Sequence, residues 1–180
     1  FQRYTTELRN YTTLGTIGGT APGSQPMKLI LGLTARAGML FGNDGPFFFS
    51  QSFALGGTQY GEQLRGYEEF SITPAGYVGS TNSNATRTSF GNAFFTSTVE
   101  LGLRFNQMLY TDLFYDAGNI WNKPTEFDPT RLFRGVGVGV AIVTPLGPLG
   151  LDYAYGLDRV DQFGNKTPKW QLHFKLGQLF

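Results

Sequence analysis

The sequence predicts an all-β fold and, within that class, an antiparallel transmembrane β-barrel. Three observations lead to this prediction: polar and apolar residues alternate along seven segments, several segments are 11 to 15 residues long, and short connections alternate with long ones. Strands of globular proteins are usually about 5–6 residues long, whereas about 9–11 residues cross a bilayer at a tilt. Short turns at one end and long loops at the other are typical of outer-membrane barrels.

The amino-acid composition argues against several other classes of protein. The chain has 180 residues, a net charge of +1 and no cysteine, and only 15% of its residues are charged. The balanced charge gives no electrostatic reason to expect nucleic acid, and the lack of cysteine excludes disulfides and thiolate chemistry. No apolar run approaches the length of a membrane-spanning helix, which excludes a helical membrane protein. A glycine-rich soluble β-sandwich remains the alternative, because it also needs one apolar face per strand.

The first four predicted strands cover residues 2–13, 27–41, 93–105 and 108–118. Each places apolar side chains on one face and polar side chains on the other, as expected for a strand between two environments. In chain order, the apolar faces carry Tyr4 and Leu8; Leu29, Leu31 and Leu33; Val99, Leu101 and Leu103; Leu113 and Tyr115. The opposite faces carry Arg3, Glu7 and Arg9; Lys28, Thr34 and Arg36; Thr96, Thr98, Glu100 and Arg104; Asp112 and Asp116.

The last three predicted strands cover residues 132–144, 148–157 and 168–180. Their second face is polar or very small, as a wet or plugged barrel interior requires. The apolar faces carry Val136, Val138 and Val140; Leu151 and Tyr153; Trp170, Leu172, Phe174, Leu176 and Phe180. The opposite faces carry Gly135, Gly137 and Gly139; Asp152; Gln171, His173, Lys175 and Gly177.

The connections bear on how the barrel closes. The short ones span 106–107 and 145–147, the long ones span 42–92, 119–131 and 158–167, and 14–26 does not fit the alternation. Single-chain bacterial barrels close with an even number of strands from eight upward, and an open sheet in lipid leaves unsatisfied edges. The chain also begins at "FQRYTTELRN", without the features of a signal peptide. We therefore expect further strands from an N-terminal part of the same protein or from a partner chain.

The segment 42–92, here called the long loop, is much longer than an ordinary connection between strands. Loops of such length are usually functional or disordered. Its stretch "GPFFFSQSFALGG" is too aromatic for disorder, since Phe47, Phe48 and Phe49 need a surface that covers them. We expect the long loop to be extracellular or to fold back into the barrel.

No catalytic group of residues is present in the sequence. His173 is the only histidine, and it has no serine, cysteine or aspartate partner at a recognisable spacing. A lone histidine on a strand is more often structural or solvated than catalytic. The glycines of "RGVGVGVA" lack the helix that a phosphate loop requires, and their spacing favours a closely packed strand face. We expect no enzymatic activity, no cofactor and no metal.

Four segments in order carry a resemblance to a known family: "GGTQYGEQLRGYEEF" (56–70), "TVELGLRF" (98–105), "FYDAGNIW" (114–121), and "TPLGPLGLDYAYGL" (144–157) leading to "KWQLHFKLGQLF". Together they resemble the C-terminal barrel region of the BamA superfamily of outer-membrane protein assembly factors, also called bacterial surface antigens. The resemblance covers essentially the whole chain. It implies a bacterial outer-membrane barrel of about 16 strands, with N-terminal strands and periplasmic POTRA domains outside this sequence.

The resemblance implies that the long loop folds into the barrel and that its "LRGY" motif binds the barrel wall. Arg65, followed by Gly66 and Tyr67, would then pair with Glu100 and Asp116. The strand alternation independently places both carboxylates on inward faces of neighbouring strands. Without the resemblance, Arg65 would be interpreted as a solvated loop residue. The matching loop glycines are Gly56 and Gly57.

The resemblance also implies a weakly paired last strand that opens sideways at a lateral seam. Phe174, Leu176 and Phe180 match the family's seam and C-terminal insertion signal, and Gly177 matches a kink glycine. The alternative for Gly177 is an ordinary interior-facing glycine. A substrate strand would add to the exposed edge by β-augmentation.

The implied function is folding and insertion of β-barrel proteins into the outer membrane, without ATP. The expected partners are unfolded outer-membrane proteins, membrane lipid and accessory lipoproteins, and no nucleic acid. Two-partner-secretion or TamA-type translocation pores of the same superfamily, and a passive porin, remain alternatives. The number of POTRA domains and the neighbouring gene would distinguish the superfamily members, and high conductance through an open interior would indicate a porin.

Overall fold

A computed structural model describes residues 1–19, 25–42, 48–79, 87–145 and 147–176, with the side chains of 48, 49 and 87 excepted. Its main element is one antiparallel sheet of seven strands. The predicted all-β antiparallel fold is thereby confirmed. In their order across the sheet, its strands are β1 (Gln2–Ile17), β2 (Met27–Phe41), β5 (Ala93–Arg104), β6 (Leu109–Trp121), β7 (Phe133–Thr144), β8 (Gly147–Gly156) and β9 (Trp170–Leu176); β3 and β4 lie in the long loop and are described below.

The strand boundaries differ from the predicted ones mainly at the ends. The first strand continues to Ile17 instead of residue 13, and its register with β2 shifts between Thr13 and Gly15. A bulge of this kind lets a strand continue past an irregular position, which the alternation pattern alone does not reveal. The strand predicted over 108–118 continues to Trp121. The last strand is described from Trp170 to Leu176, and residues 177–180 of its predicted span lie outside the described residues.

Helices contribute little to the described part of the chain. It contains three 3-10 turns, at Phe48–Gln51, Arg87–Ser89 and Pro124–Glu126. Across the described ranges, we find no helix with the length and apolar character needed to span a membrane.

The two faces of the sheet differ as the alternation predicts. Large apolar side chains on the outward face are exposed, for example Leu113 at 57% and Leu172 at 62%. Exposed apolar surface of this extent in a folded protein calls for contact with another apolar phase. The inward face instead carries buried polar side chains, including Thr96, Asp112, Asp116, Asp152 and His173.

The long loop packs against the inward face and forms the hydrophobic core there. Within it, β3 (Phe53–Ala54) pairs with β4 (Phe90–Gly91) as a short two-stranded sheet. The core combines loop side chains with inward side chains from the ends of β2, β5, β6 and β7, so the loop is part of the folded structure. Its buried members are Leu40, Phe53, Leu55, Leu64, Tyr67, Ile72, Val78, Phe94, Ile120 and Phe133.

The seven-stranded sheet is open in the described residues. β1 and β9 are its end strands, and each has a single strand neighbour there, β2 and β8 respectively. An end strand carries N–H and C=O groups that a further strand can bond. The predicted total of about 16 strands stays a prediction.

Candidate functional site

Arg65 lies at the centre of the contact between the long loop and the sheet. Its Nε donates to Asp116 Oδ2 at 2.7 Å and its Nη2 donates to Asp116 Oδ1 at 2.8 Å, a bidentate pair. The backbone N–H of Arg65 also donates to Asp116 Oδ2, at 3.2 Å. Arg65 is 6% exposed and Asp116 is 3% exposed. We call this pair the latch, because it joins a loop residue to β6 by charge-assisted bonds away from solvent.

Other groups of the wall surround the guanidinium. Arg65 Nη1 lies 3.5 Å from Asp152 Oδ2 on β8, and Arg65 Nη2 lies 3.9 Å from Glu100 Oε2 on β5. The guanidinium carbon is 3.4 Å from the centre of the Phe114 ring, a cation–π geometry. Burial alone would lower the pKa of Arg65, but the charge and hydrogen bonds of Asp116 raise it above its usual value, so the side chain stays cationic.

The structure therefore gives the two predicted carboxylates unequal roles. Asp116 binds Arg65 directly, whereas Glu100 lies at the limit of an ion pair and accepts a hydrogen bond from Tyr110 at 3.0 Å. Asp152 is closer to Arg65 than Glu100 is. It also binds Lys175 of β9 at 2.7 Å, so it connects the latch to the last strand.

Gly66 brings the loop backbone against β8. Its φ of +90° is one that residues with a side chain rarely adopt, and an added Cβ would lie 2.8 Å from the Gly156 nitrogen. Its N–H donates to His173 Nε2 at 3.0 Å, and its carbonyl accepts from Arg159 Nη1 at 3.0 Å. Both polar groups of this buried peptide are thereby bonded to the wall or to the connection between β8 and β9.

Tyr67 anchors the other side of the motif. It is fully buried and its ring packs edge-on against Phe133, with 5.8 Å between ring centres. Its hydroxyl donates to the carbonyl oxygen of Arg134 at 2.8 Å. Burial raises the pKa of Tyr67 above its usual value, so this hydroxyl keeps its proton as a donor.

Glu68 and Arg159 form a second clasp between the long loop and the connection that precedes β9. Arg159 Nη2 donates to Glu68 Oε2 at 2.7 Å, and Lys169 Nζ pairs with Glu68 Oε1. Arg159 is 5% exposed, and its Nε donates to the Thr167 carbonyl at 3.2 Å. One buried guanidinium thus binds the loop backbone, a loop carboxylate and its own connection.

Gly56 and Gly57 permit a tight turn that the carboxylate of Glu69 closes. Glu69 accepts three backbone N–H groups, from Thr58 at 2.7 Å, Gln59 at 2.9 Å and Tyr60 at 3.1 Å. Gly57 has a φ of +77°, and an added Cβ would collide with this carboxylate. The glycines are therefore required by backbone conformation and close approach.

The remaining predicted site residues lie at the last strand. Phe174 and Leu176 lie on the outward face of β9 and are 46% and 60% exposed. Gly177 and Phe180 lie outside the described residues, as does Phe47 of the aromatic cluster. Within the described ranges there is no group of three or more His, Asp or Glu residues that could hold a metal ion.

Glu68→Gln is expected to lower the unfolding temperature at pH 7. Burial raises the pKa of Glu68, but bonds from Lys169 and Arg159 outweigh this effect and hold the pKa below its usual value. A carboxyl group whose pKa is depressed by folding stabilises the protein above its unfolded pKa, and this stabilisation disappears as the pH falls through the folded pKa. The free energy of unfolding at pH 7 should fall by about 1–3 kcal/mol, because Arg159 stays buried and loses a charged partner.

The measurement is the melting temperature of the folded barrel between pH 7 and pH 3, for wild type, Glu68→Gln and the exposed control Glu126→Gln. The gap between wild type and Glu68→Gln should close toward low pH, while the control should follow wild type throughout. A gap that stays constant with pH would contradict the role of the charge.

Both the sequence and the fold of this chain match known proteins. A family model described as the Omp85 superfamily domain matches residues 1–180. Among solved structures, the chain is similar to the crystal structure of BamA from Haemophilus ducreyi lacking POTRA domains 1–3, with a TM-score of 0.59 and 21% identity. That match covers 94% of this chain and 34% of the BamA chain, so this chain spans about a third of it.

The two comparisons support different statements. The likeness to BamA, at 21% identity, establishes a similar barrel fold, and the predicted resemblance to BamA-like outer-membrane proteins is confirmed. The family model matches all 180 residues. The chain therefore belongs to the Omp85 superfamily.

Proposed function

We propose that this chain is part of an outer-membrane barrel that folds and inserts other β-barrel proteins by offering a strand edge at a lateral seam, without ATP or covalent chemistry. Membership of the Omp85 superfamily supports a general role in outer-membrane protein translocation or assembly, and the barrel-like fold supports a location in the bacterial outer membrane. The finer role, as an assembly factor, is the step proposed here.

The observation that carries the proposal is the long loop held on the inward face by buried charge. A passive porin needs an open water-filled interior. Here the loop packs on the inward face of the described sheet and is bound to β5, β6 and β8 through Arg65. Because the loop lies on the inward face, the end strands β1 and β9 are the elements to which a further strand can be added, which favours work at an edge over diffusion through the interior.

β9 is the edge proposed to act on substrates. Its residues Trp170–Leu176 pair with β8 on one side, in register from Tyr155 opposite Trp170 to Leu149 opposite Leu176. An unfolded outer-membrane protein can add a strand to the other side through main-chain hydrogen bonds, which need no specific substrate sequence. In lipid, each new backbone bond removes an unsatisfied polar group that costs several kcal/mol, so pairing itself supplies the driving force.

The proposed partners follow from this mechanism. They are unfolded outer-membrane proteins, the surrounding lipid, accessory lipoproteins, and N-terminal strands of the same protein that complete the barrel. The exposed outward apolar face, with side chains such as Leu151 and Val138, is the surface proposed to contact lipid.

A translocation pore of the same superfamily is the second candidate. It is favoured by a polar cavity of about 260 Å³ beside the latch, between the loop and side chains of β1, β2, β5, β6 and β9. Its lining includes Glu7, Arg36, Thr98 and Lys175. A loop that left this position would open a polar path for an exported chain.

Depletion of the full-length protein from cells is expected to lower the amounts of many other outer-membrane barrels, because their insertion depends on this edge. The measurement is quantitative proteomics of outer-membrane fractions, with complementation by wild type and by Arg131→Ala, a control at an exposed arginine. Unchanged levels of the other barrels would overturn the assembly role. Loss of one secreted protein alone would indicate the translocation pore instead.

A further inference from the structure

The hydrogen bond between the long loop and His173 constrains the charge of that histidine. The backbone N–H of Gly66 donates to His173 Nε2 at 3.0 Å, and His173 is 5% exposed. A backbone N–H can only donate, so Nε2 must present a lone pair, which requires a neutral imidazole. An imidazolium carries protons on both nitrogens and has no acceptor to offer.

Gly66 has no freedom to find another acceptor. An added Cβ at this residue would lie 2.8 Å from the Gly156 nitrogen, so its backbone already touches β8. Its carbonyl is bound by Arg159, and the preceding residue is fixed by three bonds to Asp116. Protonation of His173 would therefore leave a buried N–H facing a second N–H, and the contact would have to open.

His173 is also where the loop reaches the last strand. Arg65 binds β5, β6 and β8. Two hydrogen bonds in the described residues join the loop to β9, one from the Gly66 N–H to His173 and one from the side-chain amide of Gln59 to the Phe174 carbonyl. Two adjacent residues of an end strand are thus bonded to the loop.

The charged groups around His173 come from every element that packs on it. Asp152 faces it from β8, where the two residues are direct partners, and Asp116 faces it from β6. Arg65 and Glu69 face it from the long loop, and Lys175 lies two residues along β9, bound to Asp152. Burial opposes a charged imidazole at this place, as do Arg65 and the Gly66 N–H, whereas the surrounding carboxylates favour it.

We propose that His173 is a positioning residue that ties the long loop to β9 only while its imidazole is neutral, so that acidification uncouples the loop from the last strand. The link rests on the Gly66 bond, the confinement of that peptide and the place of β9 at the end of the sheet. It stands independently of the substrates that the barrel handles.

The test is hydrogen–deuterium exchange of the long loop in the full-length protein, folded in lipid nanodiscs, at pH 8 and at pH 5. Wild type is compared with His173→Gln, whose amide oxygen can accept from Gly66 and does not titrate. The loop peptide around Gly66 has the same sequence in both proteins, so its intrinsic chemical exchange cancels at each pH. The quantity compared is the ratio of the wild-type exchange rate to the His173→Gln rate.

We expect a ratio near 1 at pH 8 and a rise of about tenfold or more at pH 5, the effect of losing one buried hydrogen bond. His173→Leu, which has no acceptor, should exchange fast at both pH values if it folds. A ratio that stays near 1 at pH 5 would overturn the proposal. So would His173→Leu exchanging as slowly as His173→Gln. This experiment does not depend on an assembly assay. Failure of the histidine link and failure of the proposed assembly function can therefore be distinguished.

Discussion

Arg65→Ala is expected to reduce the free energy of unfolding by about 3–5 kcal/mol, the usual cost of removing one partner from a buried ion pair. Asp116 is 3% exposed and would lose both side-chain bonds from Arg65. It would keep the bonds from Thr98 Oγ1 at 2.9 Å and from the backbone N–H of residue 65 at 3.2 Å, which cannot balance a full charge. Asp152 and Glu100 would face it without the guanidinium between them. Repulsion among these carboxylates adds to the cost.

The measurement is urea unfolding of the folded barrel, together with the rate at which a protease cleaves the long loop. Both should change, because the latch joins the loop to the wall. Arg131→Ala is the matched control, since its side chain is 84% exposed and its ion pair with Asp128 is worth at most about 1 kcal/mol.

A double-mutant cycle separates direct pairing from general damage. Asp116→Ala should destabilise the protein by an amount similar to Arg65→Ala, because each leaves the other charge buried. The double variant should then cost less than the sum of the two single changes. Strictly additive losses would refute direct pairing in the folded protein.

The latch shows what sequence patterns can locate and what they leave open. Period-two alternation assigned Asp116 and Glu100 to inward faces, because a strand reverses its side chain at every residue. Alternation cannot say which carboxylate lies level with Arg65, since that depends on strand register and on the path of the loop. The loop places Asp116 in the bidentate position and leaves Glu100 to Tyr110.

A second limit of prediction from the sequence is seen in the contacts of Asp152, Arg159 and His173. The alternation predicts that Asp152 and His173 face inward. A single inward side chain does not indicate that its partner lies in a segment about a hundred positions away. Arg159 lies in a connection, where no periodicity applies, and its partners are the Gly66 carbonyl and Glu68. Long-range contacts between irregular segments leave no local signal in the sequence.

The spacing of the glycines in β7 does predict a feature of the packing. Their spacing indicated a closely packed strand face, and the structure gives the reason at Gly135, which pairs with Asp116 of β6 and lies under the Arg65 carbonyl. A side chain there would occupy the space that the loop backbone needs. The latch therefore depends on a small residue in the wall as well as on opposite charges.

Gly135→Ala is accordingly expected to displace the long loop. The added Cβ would overlap the Arg65 carbonyl oxygen, and neither backbone can rotate away as a flexible side chain would. Overpacking costs about 1–3 kcal/mol and occasionally more, and this contact of backbone with Cβ belongs at the upper end. Asp116 pairs with Gly135 and also holds Arg65, so a lifted loop stretches the latch bonds at the same time.

Gly150→Ala is the matched control, with the same substitution on the same inward face, in β8. Its added Cβ would meet Lys175 side-chain atoms at 3.4 Å, a contact that a flexible lysine can relieve. We expect urea unfolding and loop proteolysis of Gly150→Ala to follow wild type, while Gly135→Ala unfolds at lower urea and is cleaved faster. Equal behaviour of the two variants would mean that the loop backbone does not rest on β7, and the latch would then need a different geometry.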